Sequence, residues 1–566
     1  MNILLRAGFV ILLSLLLQCT KDQPPLEPSE NIRLNQIGYY PGSVKEFLLT
    51  DKSAENFRIA NELGEIVFEG KLEEQGVWQA SGEQVILGDF TGLETPGTYR
   101  IEIEKVGASL SFVIERKVYD KALRAAIKSY YFQRASMPIT ERHGGIYRRA
   151  AGHPDTACAY HPSTGRKRGS LDSPGGWYDA GDYGKYVVNA SLSTGQMLHL
   201  LEQYEDAIPD AFLNIPESGN GRSDLWDELL YELNWIKTMQ DRDGGVFHKL
   251  TAKGFSGFIM PEAYHLERYI IGKGTAATLN FAAVMAQAGR LFTPQDPVWS
   301  AEAIISAEKA WKWALKNKNR AFSNPEDVST GEYGDDDFSD DFYWAAAELY
   351  LATGEKKFLA YLQRNPQTYQ HQLTNSWKFF VRNNGFHSLL ENRSKLPGDL
   401  SESLVNDHLR LADSILTRID SNPYRIGLER YEWGSNSDVL NQAMLLCVAH
   451  RLSGEEKYLE GAERINDYIF GKNATGYCFL TGFGSKRVMF PHHRPSGADG
   501  IPEPVPGFVV GGPNDHRQDQ AEVEYPSEYP AKAYVDVEPS FASNEVCINW
   551  NAPAVYVLGY LEQNRK

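Results

Sequence analysis

A chain of 566 residues is longer than one average domain, so a small module joined to a large one is the arrangement to expect. A formal charge of −17 excludes nucleic acid, or an anionic membrane surface held by charge, as a partner and leaves a neutral ligand as the better fit. Aromatic residues make up 12% of the chain, and many stand beside Gly, Asp and Asn, a placement that serves sugar stacking as well as core packing.

Residues 1–18 read as a secretory signal, with Arg6 ahead of an apolar run from Phe9 to Leu17 that is too short to span a bilayer. Leu16-Leu17-Gln18-Cys19 approximates a lipobox, with Cys19 where a bacterial lipoprotein carries its lipid, although Gln18 departs from the usual small residue. The expected location is an exported one, at the cell surface or as a periplasm-facing outer-membrane lipoprotein, with the lipid as the only membrane contact. Soluble export after signal cleavage is the alternative. Cys158, Cys447, Cys478 and Cys547 are scattered without paired spacing, so no disulfide framework is expected in this exported chain.

Residues 19–30 form a polar, Pro-rich tether. Over 31–115 short alternating runs, such as Glu65-Ile66-Val67-Phe68 and Thr98 to Ile103, are separated by Gly and Pro turns, which predicts a small β-sandwich. From 116 to 566 the period becomes helical. About twelve helices are expected, among them Val118 to Ala135, Lys185 to Tyr204, Ser223 to Met239, Thr275 to Arg290, Asp340 to Ala352, Ser437 to Leu452 and Asn544 to Leu561. The junction Leu351-Ala352-Thr353-Gly354 resembles Leu452-Ser453-Gly454, each placing a Gly where one helix ends before the next, which implies repeated helical hairpins. Long loops at Tyr147 to Asp182 and Tyr477 to Tyr534 carry most of the unusual residues, as functional loops do.

Three carboxylates stand out. Gly175 to Tyr183 sets Asp179 and Asp182 three residues apart around an Ala-Gly turn, and Asn544-Glu545 opens the last apolar run. Inverting glycoside hydrolysis needs one carboxylate to activate water and one carboxylic acid to protonate the leaving oxygen, roughly 6.5–9.5 Å apart, with no metal or organic cofactor. Taken alone, Asp182 also reads as a helix cap and Glu545 as a first-turn acid favoured by the helix dipole.

The order of motifs is more specific. Gly175 to Tyr183 is followed by Gly482-Phe483-Gly484, Lys486, Pro491-His492-His493-Arg494, Tyr534, Asp536, Phe541 and Asn544-Glu545. This series resembles glycoside hydrolase family 9, inverting cellulases built as an (α/α)6 barrel, in the branch with an N-terminal immunoglobulin-like module. Ile32 to Tyr39, Leu213 to Glu228 and Trp433 to Asn436 extend the likeness over essentially the whole mature chain. The resemblance implies a multidomain protein, a small all-β sandwich followed by a large all-α barrel, acting as an endo-β-1,4-glucanase on cellulose-like, mixed-linkage or xyloglucan chains. An exo-acting enzyme on short gluco- or glucosamino-oligosaccharides, its cleft walled by Tyr147 to Asp172, is the second reading. An inactive surface glycan-binding protein is the third. No Gly-x-Ser-x-Gly elbow or His-Glu-x-x-His pair points to acyl or peptide hydrolysis.

By the same resemblance Asp182 is the water-activating base, Asp179 helps to hold the water, and Glu545 is the proton donor, kept protonated by neighbours such as Val546, Ile548 and Trp550. His492 and Arg494 match sugar-binding residues, Trp433 and Trp550 match aromatic platforms, and His248 is a further glycan contact. Zinc is not expected, because Ala135 and Ala159 stand where ligands would be and Cys158 alone cannot hold the ion. Cys547 replaces a small residue and should change only packing. Asp337, Asp340 and Asp341 match a structural calcium site, while an acidic helix start without an ion fits the same residues. The chain is expected to act as a monomer.

Overall fold

The computed structural model describes residues 26–368, 376–379 and 381–565. The signal segment 1–18, Cys19 and the first part of the tether lie outside the described residues.

The N-terminal module contains β1 (Ile32–Arg33), β2 (Glu46–Thr50), β3 (Asn56–Asn61), β4 (Ile66–Trp78), β5 (Glu83–Asp89), β6 (Gly97–Ile103), β7 (Gly107–Ala108) and β8 (Phe112–Ile114). They form a two-layered sandwich because β4 serves both sheets: residues 66–71 pair with β3, and residues 72–78 pair with β5. One sheet runs β1-β2-β5-β4, the other β4-β3-β6 with β7 and β8 both on β6. Alternation along β3 and β6 turns Phe57, Ile59, Tyr99, Ile101 and Ile103 inward, where edge-to-face pairs such as Tyr39–Phe90 and Phe47–Phe57 fill the space between sheets.

The outer face of the first sheet is apolar as well. Leu48, Trp78, Val85 and Leu87 join the core of the helical domain, each burial contributing about 1.5–3 kcal/mol. Polar contacts fix the angle of docking. Asn35 Nδ2 donates to Asp467 and Tyr119, Lys472 and Arg464 pair with Glu46, and Lys532 pairs with Glu83.

Among the described residues the helical domain has twelve long helices. They are α1 (Asp120–Gln133), α2 (Val187–Gln203), α3 (Asp224–Thr238), α4 (Thr275–Phe292), α5 (Pro297–Lys316), α6 (Ser339–Thr353), α7 (Lys356–Arg364), α8 (Val381–Glu391), α9 (Gly398–Ser421), α10 (Ser435–Ser453), α11 (Glu456–Ile469) and α12 (Ile548–Asn564). Even-numbered helices are buried almost all round; in α4 only Arg290 and Leu291 escape. Odd-numbered helices bury one stripe, as α9 does with Leu404, His408, Leu411, Ala412, Ile415, Leu416 and Ile419. Chains of this kind sort into an inner and an outer ring. In the inner ring α12 packs on α2, α2 on α4, α4 on α6, α6 on α8, and α10 on α12. Gly354 and Gly454 end α6 and α10 at φ of 69° and 72°, the left-handed caps anticipated from their repeated context.

A small sheet sits at the end of the barrel that carries the long loops: β9 (Cys158–Tyr160), β10 (Ser170–Leu171), β11 (Lys185–Tyr186), β12 (Phe247–Thr251) and β13 (Tyr269–Lys273). Two expected helix starts are corrected here. Lys185 and Tyr186 belong to β11 and the N-cap of α2 is Tyr186, so Asp182 caps no helix. The final helix begins at Ile548, after a separate turn at Phe541–Asn544, because Val546 bridges to Val510 and Cys547 to Ala180. Glu545 is therefore extended backbone, with φ −70° and ψ 155°, and is not a first-turn acid.

Candidate active site

The turn 175–184 is pinned on every side. Asp179 N–H donates to Gly184 O at 3.0 Å, Tyr178 N–H to Gln133 O, and the Gln133 side chain to Ala180 O. Gly181 has no room for a side chain, since a Cβ there would lie 2.1 Å from His492 O, and its own carbonyl accepts from Arg494 N–H at 3.0 Å. The C-terminal strand segment closes the other flank. Ile548 N–H donates to Asp179 O at 2.8 Å, Ala180 bridges to Cys547, and Glu545 bridges to His492. Asp179, Asp182 and Glu545 thus project from one patch of interlocked backbone, although Glu545 is far from the two aspartates in sequence.

Burial acts on Asp179 and Glu545 in the same direction. Asp179 is buried and accepts from Asn189 Nδ2 at 2.6 Å and Tyr333 Oη at 2.5 Å. Desolvation, then the charge of Asp182, pushes its carboxyl up to about 7 against the pull of those two donors. Asp182 accepts from Gly184 N–H at 2.8 Å and from Tyr186 Oη at 3.4 Å. Glu545 is held well above the usual carboxylate range, first by desolvation and next by the charge of Asp182. A carboxyl biased toward its protonated form beside a second acidic group is the pairing that glycosidic cleavage requires.

The structure gives the flanking residues unequal roles. His492 is half-buried, its Nδ1 2.7 Å from Glu538 O, with Phe258 and Phe541 against its ring. Arg494 Nε donates to Ser256 O at 3.0 Å. Trp433 is 40% exposed and lies 5.5 Å from Phe541. Two expectations are corrected. Trp550 is only 8% exposed, packed under Gly434 and Gly511 beside Ala180 and Cys547, so it supports the site from below. His248 is 1% exposed, stacked on Phe322 at 3.7 Å with Nε2 2.8 Å from Glu332 O, which leaves no face for a glycan.

Asn189 and Tyr333 escaped the sequence reading. Tyr333 stands two residues before the acidic run, where attention falls on metal ligation, and its φ of 46° is left-handed for a residue that is not glycine. Asn189 lies inside α2 and carries no sequence signal that separates it from a core amide. Cys547 does more than pack: its sulfur accepts from Asn189 Nδ2 at 3.3 Å and lies 4.0 Å from Asp179 Oδ2.

The acidic run forms a cluster of Asp335, Asp340 and Asp341, with one oxygen of each within 4.8 Å of the others. Asp337, expected as a ligand, is exposed and accepts from Ser339 N–H instead. Each of the three clustered residues has a buried Oδ2 without a hydrogen-bond partner, and hard oxygen donors left unpaired in this way fit a calcium ion. Near Ala135, Cys158 and Ala159, buried Asp155 pairs with Lys185 and Arg268, each at 2.7 Å. Those cations in turn donate to Ser173 O, Gly175 O and Tyr183 O, bracing both ends of the turn that holds Asp179 and Asp182.

Two aspartates and a glutamate gathered on one backbone patch, in a helical double ring behind a β-sandwich, make the arrangement of a carbohydrate-cleaving hydrolase. Residues 119–558 match glycosyl hydrolase family 9, and residues 27–108 match the cellulase N-terminal ig-like domain. The chain belongs to glycosyl hydrolase family 9 and is a glycoside hydrolase of the cellulase type. It is similar to a xyloglucan-specific endo-beta-1,4-glucanase of Bacteroides ovatus, 39% identical over 98% of this chain and 97% of the relative. Endoglucanase D of Acetivibrio thermocellus is 34% identical over 94% of this chain and 84% of the relative. A solved family 9 structure from Bacteroides ovatus superposes with a TM-score of 0.88 at 37% identity, covering 95% of this chain and 99% of that one. An endoglucanase of Alicyclobacillus acidocaldarius gives 0.85 at 31% identity, covering 94% and 100%.

Proposed function

We propose that this enzyme cuts β-1,4-glucan backbones internally with inversion, and that xyloglucan is its preferred substrate. In the step, Asp182 takes a proton from water while the water oxygen bonds to the anomeric carbon. The bond from that carbon to the glycosidic oxygen breaks, and Glu545 delivers its proton to the departing oxygen. Asp179, aimed by Asn189 and Tyr333, holds the water beside Asp182. The observation that carries this reading is the meeting of Glu545 with Asp179 and Asp182 on one backbone patch. The preference for xyloglucan rests on the specificity named for the Bacteroides ovatus relative. Export and tethering through a lipid on Cys19, action as a monomer, and a structural calcium at Asp335, Asp340 and Asp341 complete the proposal.

The test compares the native chain with Glu545→Gln on xyloglucan, mixed-linkage glucan and soluble cellulose. Turnover by the variant should fall by several orders of magnitude while glycan affinity persists, because the proton is delivered in the transition state. NMR of the first product should show the α-anomer, and viscosity should drop before monosaccharide appears. Equal turnover by both proteins would remove Glu545 from the chemistry.

A further inference from the structure

Phe255 is 49% exposed although it lines the same depression as Asp182. It stands on the loop 253–260, which is fastened at three points: Tyr264 Oη donates to Gly254 O at 2.9 Å, Arg494 Nε to Ser256 O at 3.0 Å, and Tyr183 Oη to Ile259 O at 2.6 Å. Phe255 lines one depression together with Asp182, Tyr183, Thr251 and Ser256. The Arg494 guanidinium carbon lies 5.6 Å from the centre of its ring. Phe258, three residues on, meets the His492 ring edge to face at 5.1 Å, so the same loop also sets the angle of that imidazole.

An exposed phenyl group on a surface is ordinary, but one carried beside the catalytic base on a loop whose backbone is fastened by three hydrogen bonds is not. A pyranose offers a flat face of C–H bonds, which an aromatic ring covers without a hydrogen-bond penalty, while a neighbouring guanidinium serves the equatorial hydroxyls. With Trp550 buried, Trp433 is the single expected platform left, and a β-glucan chain lying across the groove presents more than one sugar.

We propose that Phe255 is the stacking platform of a sugar subsite adjoining Asp182, with Arg494 as its polar partner. This rests on the reading of the groove as a β-glucan site. Stacking binds ground state and transition state alike, so Phe255 should act on affinity and on where the chain is cut, not on the proton transfers.

The experiment measures binding of cellopentaose and a xyloglucan oligosaccharide by calorimetry in the Glu545→Gln background, where turnover does not interfere. Adding Phe255→Ala should weaken binding about ten-fold, adding Phe255→Tyr should leave it within about two-fold, and Leu266→Ala, another exposed apolar position, should leave it unchanged. In the active chain, Phe255→Ala should raise KM with little change in kcat and shift the bond at which cellopentaose is cut. Unchanged affinity in Phe255→Ala, equal losses in Phe255→Ala and Phe255→Tyr, or a loss that comes with a lower melting temperature would each overturn the subsite. A folded Glu545→Gln chain that binds no β-glucan at all would instead overturn the functional reading beneath it.

Discussion

Replacing Tyr333 by Phe isolates one hydroxyl. The ring keeps its contacts with Tyr186, at 4.9 Å, and Trp377, at 5.1 Å, so the change removes little besides the hydrogen bond to Asp179. A donor to a carboxylate stabilises the ionised form, and its loss therefore raises the carboxyl pKa. A hydrogen bond to a charged group is worth about 1.5–3 kcal/mol, which corresponds to a rise of about one to two pH units. Asp179 starts at about 7, so the acidic limb of kcat/KM should move upward by that interval. At pH 6 the ionised fraction would fall about ten-fold or more, while at alkaline pH the variant should approach the native rate until Glu545 begins to ionise. The assay is a pH–rate profile on soluble β-glucan for both proteins, with melting temperatures recorded alongside. An acidic limb that stays in place, or moves to lower pH, would refute the reading that Asp179 holds the water as a carboxylate.

Three further outcomes test the supporting structure. Asp155→Asn leaves Lys185 and Arg268 buried with a neutral partner and should cost about 3–5 kcal/mol, read as a lower urea midpoint. Since pairing depresses the Asp155 pKa, its stabilisation is complete above the ordinary carboxylate range and fades only as pH falls below it, so the loss in the variant should be undiminished at neutral pH. Gly181→Ala drives a methyl group into His492 O and should displace Asp182 and His492 together, lowering activity about 100-fold even if the protein still folds; native activity would show that the turn can yield. Removing calcium with a chelator should lower the melting temperature, by an amount equivalent to about 2.7 kcal/mol when the ion is present at one hundred times its Kd, and Asp341→Asn should abolish that response. A melting temperature indifferent to both chelator and calcium would leave the cluster without an ion.

Much of this protein is legible along the chain because it depends on local periodicity and ordered motifs. The alternating runs before residue 115 and the 3.6-residue period after it specify a sandwich and a helical domain. Gly354 and Gly454 mark the same hairpin junction twice, and the turn 175–184 carries a spacing that singles out Asp179 and Asp182. Sequence spacing cannot report what faces a side chain. Trp550 and His248 carry the residue types of sugar contacts, yet helix and strand packing seals both inside, because an inner helix of a double ring and a central strand of a sheet are covered on every side. Asp335 replaces Asp337 in the acidic cluster because the chain turns between them, a change of direction that identical neighbouring residues do not reveal. The two donors on Asp179 come from a helix interior and a distant loop, at Asn189 and Tyr333, and only the closed barrel brings them to one carboxylate. Local preference sets which elements form. The surroundings that decide charge, exposure and reach are built by contacts between residues far apart in the chain.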